Sequence, residues 1–324
     1  MSCIQLIEYL ADGEHHSGEE LGKHLGISRT AVWKQLQKAE EEFGLSIEKK
    51  RGLGYRLEGG CDLLNKNAIQ ESLQGAAKAL PLQLFSEIDS SNSELLRQAA
   101  SGSPGNIICA AEFQNAGRGR MGRQWISPYG RNLYFSVLWE FHGGAAALEG
   151  LSLCVGVAIA RALHSIGLGG LQLKWPNDVL LNGKKLAGIL LEMQGDADGN
   201  CHVVIGIGLN VDMRGCDTSG ITQAWADLHS TLPSKPDRSK LLALLCNHLA
   251  DVILDFEKYG FSHFKDDWQQ LDAFNNKKVE IILGKNHILG TAIGINDGGA
   301  LKLETSEGIK EFHGGEISLR SAQL

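Results

Sequence analysis

Apolar positions at the start of the chain fall at helical spacing. Ile4, Leu6, Ile7 and Leu10 make one stripe. Ser17 then opens a second helix, SGEELGKHLG, with Glu20 three residues on as a capping box and Leu21 and Leu25 on its inner face. Gly26 makes a tight turn, and Ser28 caps a third helix in which Val32, Leu36 and Ala39 point inward. Helix, glycine turn and helix form a helix-turn-helix pattern, and two short strands around Gly52–Gly54 add a β-hairpin wing. Trp33 is expected to pack within this unit, and His15, His16 and His313 to lie on the surface.

Beyond residue 60 the pattern alternates between strands and helices. Asn65 to Leu73 reads as a short helix and Pro81 to Ile88 as a strand, which leads through DSSN into a helix ending near Ala100. Further strands are expected over Ile107 to Phe113, Asn132 to Glu140, Leu171 to Trp175, Val179 to Leu181, Lys185 to Met193 and Cys201 to Val211. Asn182–Gly183 is a hairpin turn between two of them. Leu148 to Ile166 is an apolar, buried helix. Pro236 to Tyr259 is a long amphipathic helix and Phe261 to Leu271 another. After Asn275 five short strands, separated by Gly and Asn/Asp turns, suggest a small barrel. The expectation is an α+β protein of three domains: a winged helix-turn-helix over 1–60, a mixed α/β domain over 61–274 and a β-barrel over 275–324.

Composition narrows the setting. A chain of 324 residues with 43% hydrophobic and 21% charged residues is an ordinary globular protein of two or three domains. The net charge of −7 carries no global sign of nucleic-acid binding, so any basic surface must be local. Seven scattered cysteines without a CxxC pair point to reduced thiols and a cytoplasmic protein. The N-terminus lacks the basic and apolar regions of a signal peptide, and no apolar run is long enough to cross a membrane.

Local charge does sort the first domain. Ile27 to Lys38 holds Arg29, Lys34 and Lys38 with no acid, and Lys49 to Arg56 holds Lys49, Lys50, Arg51 and Arg56 with none. Ser28, Arg29, Thr30, Lys34 and Gln35 on the second helix of the motif, with Lys49, Lys50 and Arg51 on the wing, are residue types that reach base edges and phosphates. The other reading is a winged helix used for protein contacts, or a solvated face.

The richest candidate site is EFQNAGRGRMGRQW, residues 112–125, where glycines alternate with Arg118, Arg120 and Arg123. Glycine permits close backbone approach, and arginine offers a charged fork for carboxylate and phosphate oxygens. Together they describe a mobile loop that closes over an anion, against the plainer possibility of a solvated loop with chance arginines. The loop is no P-loop, because GxxxxGK[ST] is absent. Ser90, Ser91 and Asn92 open a helix with more hydroxyl and amide groups than one cap needs. Lys185 opens a strand beside the small Ala187 and Gly188, which leave space for a ligand. The histidines show no metal-ligand spacing.

DSSN (89–92), the arginine loop (112–125), KWPND (174–178), KLAGIL (185–190) and GIGLN (206–210) occur in one order. This set resembles the biotin protein ligase family, whose catalytic fold is shared with lipoate ligases. With the winged helix in front, nearly the whole chain resembles the bifunctional bacterial members that also repress the biotin operon. The resemblance implies that Ser90, Ser91, Asn92 and Gln114 line a biotin pocket, and that Arg118, Gly119 and Arg120 belong to a loop that orders over biotin and its adenylate. Lys185 would hold the biotin carboxylate and the α-phosphate. Arg123, Trp125, Asn177, Asp178, Asn210 and Trp225 would form the nucleotide side. ATP with Mg²⁺, the metal near Asp178, would be the co-substrate, and residues 213–224 would fold over adenine. Met121 stands where many members carry arginine, which removes one positive charge from the loop. The C-terminal barrel would be SH3-like. The partners implied are a biotin carboxyl carrier protein, operator DNA and a second copy of the chain once the adenylate is bound.

The chemistry agrees with these residue types. A carboxylate becomes an acyl donor by attacking the α-phosphate of ATP, and cations must neutralise the charge that collects there; Arg118, Arg120 and Lys185 are the catalytic candidates. Two other readings remain at this stage: a regulator that senses a metabolite without ligating it, and a lipoate ligase. The GRGRMGRQW loop and KWPND favour biotin.

Overall fold

The computed structural model describes residues 3–102, 105–142, 144, 148–195, 201–314 and 317–321. Three short helices open the chain: α1 (Cys3–Tyr9), α2 (Gly18–Leu25) and α3 (Arg29–Phe43). Strands β1 (Ile47–Lys50) and β2 (Gly54–Leu57) pair as an antiparallel wing. Ser17 and Ser28 each cap their helix, accepting from Glu20 N (3.0 Å) and Ala31 N (3.2 Å). The Glu20 side chain turns to His16 Nδ1 (3.3 Å) and the Tyr9 hydroxyl, not to a reciprocal capping bond.

Two expectations fail here. Trp33 is 42% exposed on α3, because Val32 and Leu36 fill the inner stripe and Trp33 lies outside it. His15 and His16 are half-buried, while His313 is exposed as expected. His16 exchanges backbone hydrogen bonds with Tyr55 of the wing, and this draws its ring between Asp12 (2.8 Å) and Glu20. His15 meets Glu48 of β1 at 3.6 Å.

The central sheet has seven strands: β3 (Leu82–Phe85), β4 (Ile107–Ala111), β5 (Leu133–Phe141), β6 (Leu171–Lys174), β7 (Asp178–Leu181), β8 (Lys184–Gly195) and β9 (Cys201–Leu209). Their order is β3-β4-β5-β9-β8-β7-β6, with β3 and β4 parallel and every other pair antiparallel. The short α4 (Lys66–Ser72) precedes this sheet, and α5 (Ser91–Ala100) covers one face. The long α6 (Leu151–Ser165) and α7 (Arg238–Tyr259) cover the other. Alternation along β5 assigns the sides. Phe135 and Val137 join the α6 and α7 core, whereas Leu138 packs with Leu95 and Ala99 of α5. Ser136 shares the α5 side, and that side carries the site.

The second expected C-terminal helix divides into a 3₁₀ turn, Phe261–Phe264, and α8 (Lys265–Leu271). The end of the chain forms β10 (Lys278–Leu283), β11 (Asn286–Ile295), β12 (Leu301–Thr305), β13 (Gly308–Phe312) and β14 (Ile317–Ser321). They make an antiparallel sheet of order β13-β12-β11-β10-β14. Gly315 and Glu316, expected at the start of the last strand, lie outside the described residues. Val279, Ile281, Leu301, Leu303 and Leu319 continue the central core, and the Trp175 indole donates to Gly299 O at 3.1 Å. No described helix is long and apolar enough to cross a membrane. All seven cysteines are free.

Candidate active site

Two adjoining cavities open on the α5 side of the sheet. The first is lined by Ser90, Ser91, Asn92, Gln114, Arg118, Gly119 and Arg120, with Trp125, Asn177 and Lys185 at its edge. Two glycines of β9 make it possible. A Cβ on Gly206 would stand 2.0 Å from Asn92 Oδ1, and one on Gly208 would stand 2.4 Å from the Trp125 ring. The GIGLN stretch is therefore a floor against which an amide and an indole lie flat.

The polar groups of this cavity form one network. Gln114 Oε1 accepts from Ser91 N (2.8 Å) and from the Ser91 hydroxyl (3.1 Å). Ser136 Oγ lies 2.7 Å from Ser91 Oγ and 2.6 Å from Asn92 Oδ1. Asn92 Nδ2 donates to Leu190 O (3.2 Å) and Glu192 Oε2 (2.9 Å). Ser90 is the N-cap of α5 and accepts from Ser93 N at 3.5 Å. Ser136 and Glu192 were not singled out from the sequence, because each sits on a strand far from the DSSN motif and only sheet register brings it there.

The arginine stretch, expected to be mobile, is here a closed hairpin. Gly119 N donates to Arg123 O (2.7 Å) and Trp125 N to Gly117 O (2.9 Å), with Met121 half-exposed at the tip. Arg118 reaches Ser93 Oγ (3.1 Å) and pairs with Glu192. Arg120 donates to Asn177 Oδ1 at 2.8 Å, and burial pushes its guanidinium below the usual arginine range. Arg123 is exposed toward the second cavity.

That second cavity, of about 780 Å³, is lined by Arg120, Arg123, Trp125, Lys174, Asn177, Asp178, Lys185, Asn210, Ala224 and Trp225, and by Arg320 of the C-terminal sheet. Its size suits a nucleotide-sized ligand. Lys185 Nζ pairs with Asp178 Oδ1 at 2.8 Å and lies 5.4 Å from the centre of the Trp125 ring. The Lys185 backbone is clamped by Ala224 O and Ala226 N (both 2.9 Å), which brings Trp225 alongside. Asn210 Nδ2 donates to Ala226 O (3.1 Å) and Lys185 O (3.5 Å), so its amide holds that clamp. The Trp125 Nε1–H is buried with no acceptor among the described residues.

Electrostatics distinguish the two cavities. Burial pushes the Lys174 ammonium down, Lys185, Arg123 and Arg320 push it further, and only Asp178 opposes them. Five cations thus converge on a cavity with Asp178 as the one carboxylate lining it among the described residues. Such an excess has its natural counter-charge in a polyphosphate. Lys174 lay within the quoted KWPND motif and Arg320 in the last strand, yet neither was assigned a role. A fold is needed to see that Lys174 and Arg320, on strands far apart in the chain, line one cavity.

The DNA-binding candidates gather on the N-terminal domain. Ser28, Arg29, Thr30 and Lys34 are exposed at the start of α3, and Lys49, Lys50 and Arg51 are exposed on the wing. Gln35 is half-buried, Ser28 Oγ serves as the helix cap, and Lys49 pairs with Glu40 at 2.7 Å.

Known proteins are similar to this chain in sequence and fold. Residues 85–210 match the family described as biotin/lipoate A/B protein ligase, residues 4–56 an HTH domain and residues 275–320 the biotin protein ligase C terminal domain. The chain is 41% identical over 321 residues to the bifunctional ligase/repressor BirA of Escherichia coli (strain K12), covering 99% of this chain and 98% of that one. It is 31% identical to the protein of the same description from Bacillus subtilis (strain 168), covering 95% of each. Among solved structures it is similar to the biotin protein ligase from Aquifex aeolicus in complex with biotin and ATP. The TM-score is 0.65 and the identity 30%, over 75% of this chain and 99% of that one.

Proposed function

Because this chain belongs to the family of bifunctional biotin protein ligases and repressors, we propose that it activates biotin with ATP, transfers it to a lysine of a biotin carboxyl carrier protein, and represses the biotin operon when its adenylate is bound. The observation that carries this reading is Lys185. Its ammonium sits between a small cavity of hydroxyl and amide groups and a larger one ringed by cations. A ligand with a hydrogen-bonding head and a carboxylate tail fits the first, and a nucleoside triphosphate the second.

In the first step a biotin carboxylate oxygen attacks the α-phosphorus of ATP. The new P–O bond forms as the bond to the β-phosphate oxygen breaks, and pyrophosphate leaves. Lys185 and Arg120 hold the two anions together and neutralise the pentavalent phosphorus, while Lys174, Arg123 and Arg320 receive the leaving pyrophosphate. Mg²⁺ arriving with ATP would be held by phosphate oxygens and Asp178, a hard oxygen ligand of the kind this ion takes, and would offset phosphate charge. Asp178 meanwhile keeps Lys185 aimed. The unpaired Trp125 N–H offers a donor to the adenylate, and Asn210 and Trp225 brace the strand that carries Lys185.

In the second step the neutral amine of the carrier lysine attacks the acyl carbon. An amide forms and AMP departs with the anhydride oxygen. No covalent enzyme intermediate is required. The closed hairpin shields the anhydride from water between the two steps. With Ser28, Arg29, Thr30, Lys34 and Gln35 on α3 and Lys49, Lys50 and Arg51 on the wing, the N-terminal domain binds the operator as a dimer. Free cysteines, a carrier substrate and a DNA target agree with work in the cytoplasm.

Lys185→Ala is the direct test. Biotin-dependent exchange of pyrophosphate into ATP should fall by roughly 10³-fold while the thermal transition is kept. Exchange at the wild-type rate would remove Lys185 from the chemistry.

A further inference from the structure

Glu192 belongs to none of the motifs that suggested the site, yet it touches two of them. One carboxylate oxygen accepts from Asn92 Nδ2 at 2.9 Å, and the other pairs with the Arg118 guanidinium of the hairpin. Arg118 in turn donates to Ser93 Oγ at 3.1 Å, one residue beyond Asn92 on α5. The strand β8 that carries Glu192 also carries Lys185.

The first contact sets the order of protons in the small cavity. Asn92 Nδ2 faces two groups that only accept, the Glu192 carboxylate and the Leu190 carbonyl. The amide therefore has one orientation, with Oδ1 toward Ser136. Ser136 must give its single proton to Asn92 Oδ1, 2.6 Å away. Ser91 Oγ, 2.7 Å away, shares that proton as a second acceptor, because the Ser91 hydroxyl gives its own proton to Gln114 Oε1 at 3.1 Å. Ser91 keeps one lone pair beyond these bonds, and on a residue that lines the cavity it suits a ligand N–H. Were Asn92 free to turn over, Ser136 would face an NH₂ group in place of its acceptor. The second contact ties this order to the hairpin, because the same carboxylate holds the arginine that closes it.

We propose that Glu192 is a positioning residue for biotin, fixing the Asn92 amide with one oxygen and the Arg118 guanidinium with the other, so that recognition of the cyclic urea and closure of the hairpin depend on one side chain. This rests on the ligase reading above and deepens it: the cavity selects a head group that donates N–H to Ser91. Glu192 touches neither reacting centre and does not take part in the chemistry.

The test uses the full-length protein with Glu192→Gln and Glu192→Asp. Biotin affinity is measured by calorimetry, and release of pre-formed biotinyl-5′-AMP by stopped flow. Transfer to a biotin carboxyl carrier domain is followed at saturating adenylate. Loss of a charge-assisted bond at each end predicts roughly 10-fold weaker biotin binding and roughly 10-fold faster adenylate release in the Gln variant. The transfer rate at saturation should stay within about 3-fold of wild type, since Lys185 and Arg120 are untouched. Asp keeps the charge on a shorter stem and should recover part of both losses. Glu192→Gln combined with Arg118→Ala should cost less than the product of the two single effects.

A Gln variant that binds biotin and retains adenylate like wild type would overturn the proposal while leaving the ligase intact. So would one that loses saturated turnover at unchanged affinity. Wild-type protein that binds no biotin would remove the ligase reading first. Should the Gln variant unfold, as its thermal transition would report, the Asp variant decides. Wild-type affinity and wild-type adenylate release in it overturn the proposal, and partial loss of both supports it.

Discussion

Trp33 shows how a residue can be misread from its type. A tryptophan between two apolar helix positions invites assignment to the core. Val32 and Leu36 fill that stripe alone, and the indole is left exposed beside Arg29 and Lys34 on the helix that the DNA reading places in a groove. An exposed ring among cations has no packing duty to preserve. Trp33→Ala is therefore expected to weaken operator binding by roughly 10-fold, the size of one lost specific contact, and to leave ligation unchanged. Fluorescence anisotropy with labelled operator checks the first part and carrier labelling the second. Equal affinity of the two proteins would return Trp33 to the solvated surface. The residues legible in the sequence were those inside compact motifs: Ser90 to Asn92, Gln114, the loop arginines and Lys185. Glu192, Ser136, Lys174 and Arg320 were not, because nothing local distinguishes them from ordinary strand residues. Their meaning comes from what lies across the sheet.

Among the elements, β8 and β9 do most to shape the site. Glycines on β9 let Asn92 and Trp125 approach, and β8 carries Lys185 at one end and Glu192 toward the other. Period-two alternation and the Asn182–Gly183 turn made these strands readable. Strand order was not readable, since a seven-stranded mixed sheet allows many orders with the same alternation. The junction between α8 and the C-terminal sheet holds a second element-scale feature. Asp272 follows α8; its Oδ1 accepts from Phe274 N at 2.9 Å, and its Oδ2 is buried without a partner among the described residues. Burial pushes its carboxyl up to about 6. A carboxyl raised in the fold binds more protons folded than unfolded, so stability falls as pH rises from the unfolded value near 3.8 to about 6, and the full cost of about 3 kcal/mol applies above that. Asp272→Asn keeps the acceptor for Phe274 and removes the ionisation. Urea melts should find the variant about 3 kcal/mol more stable at pH 7.5 and close to wild type near pH 3. The same difference at both pH values would exclude ionisation as the cause.

At the scale of the whole molecule, the DNA-binding domain rests on the two ends of the ligand hairpin. Phe43 at the end of α3 meets Phe113, with ring centres 4.9 Å apart, and Tyr129 at 5.1 Å. Phe113 immediately precedes Gln114, and Tyr129 follows Ser127, whose hydroxyl receives Gln114 Nε2 at 3.4 Å. The linker is anchored nearby. Fully buried Arg238 pairs with Glu112 at 2.8 Å and donates to Asp62 O at 2.5 Å, and Glu112 also accepts from Leu64 N. A buried ion pair of this kind specifies geometry more than it stabilises. Under the function proposed above, adenylate binding at the hairpin would act on the surface that positions the winged helix, and a population shift toward a DNA-competent dimer follows if the adenylate binds that state better. Sedimentation velocity should show a larger species only when biotin and ATP are both present; an unchanged profile would detach repression from adenylate-driven dimerisation. The three-part order of the molecule was legible from changes in hydrophobic period. The contact between its parts was not, because Phe43, Phe113 and Tyr129 each read as ordinary core residues of their own segments.

The central claim is that one chain makes an adenylate of biotin and hands it to a carrier lysine. Mass spectrometry of a biotin carboxyl carrier domain incubated with the protein, biotin, ATP and Mg²⁺ tests it most directly. The account predicts a single biotin adduct on one carrier lysine, absent without ATP and absent with Lys185→Ala. An unmodified carrier, in the presence of well-folded protein that still binds biotin, would contradict it and leave a ligand-sensing repressor.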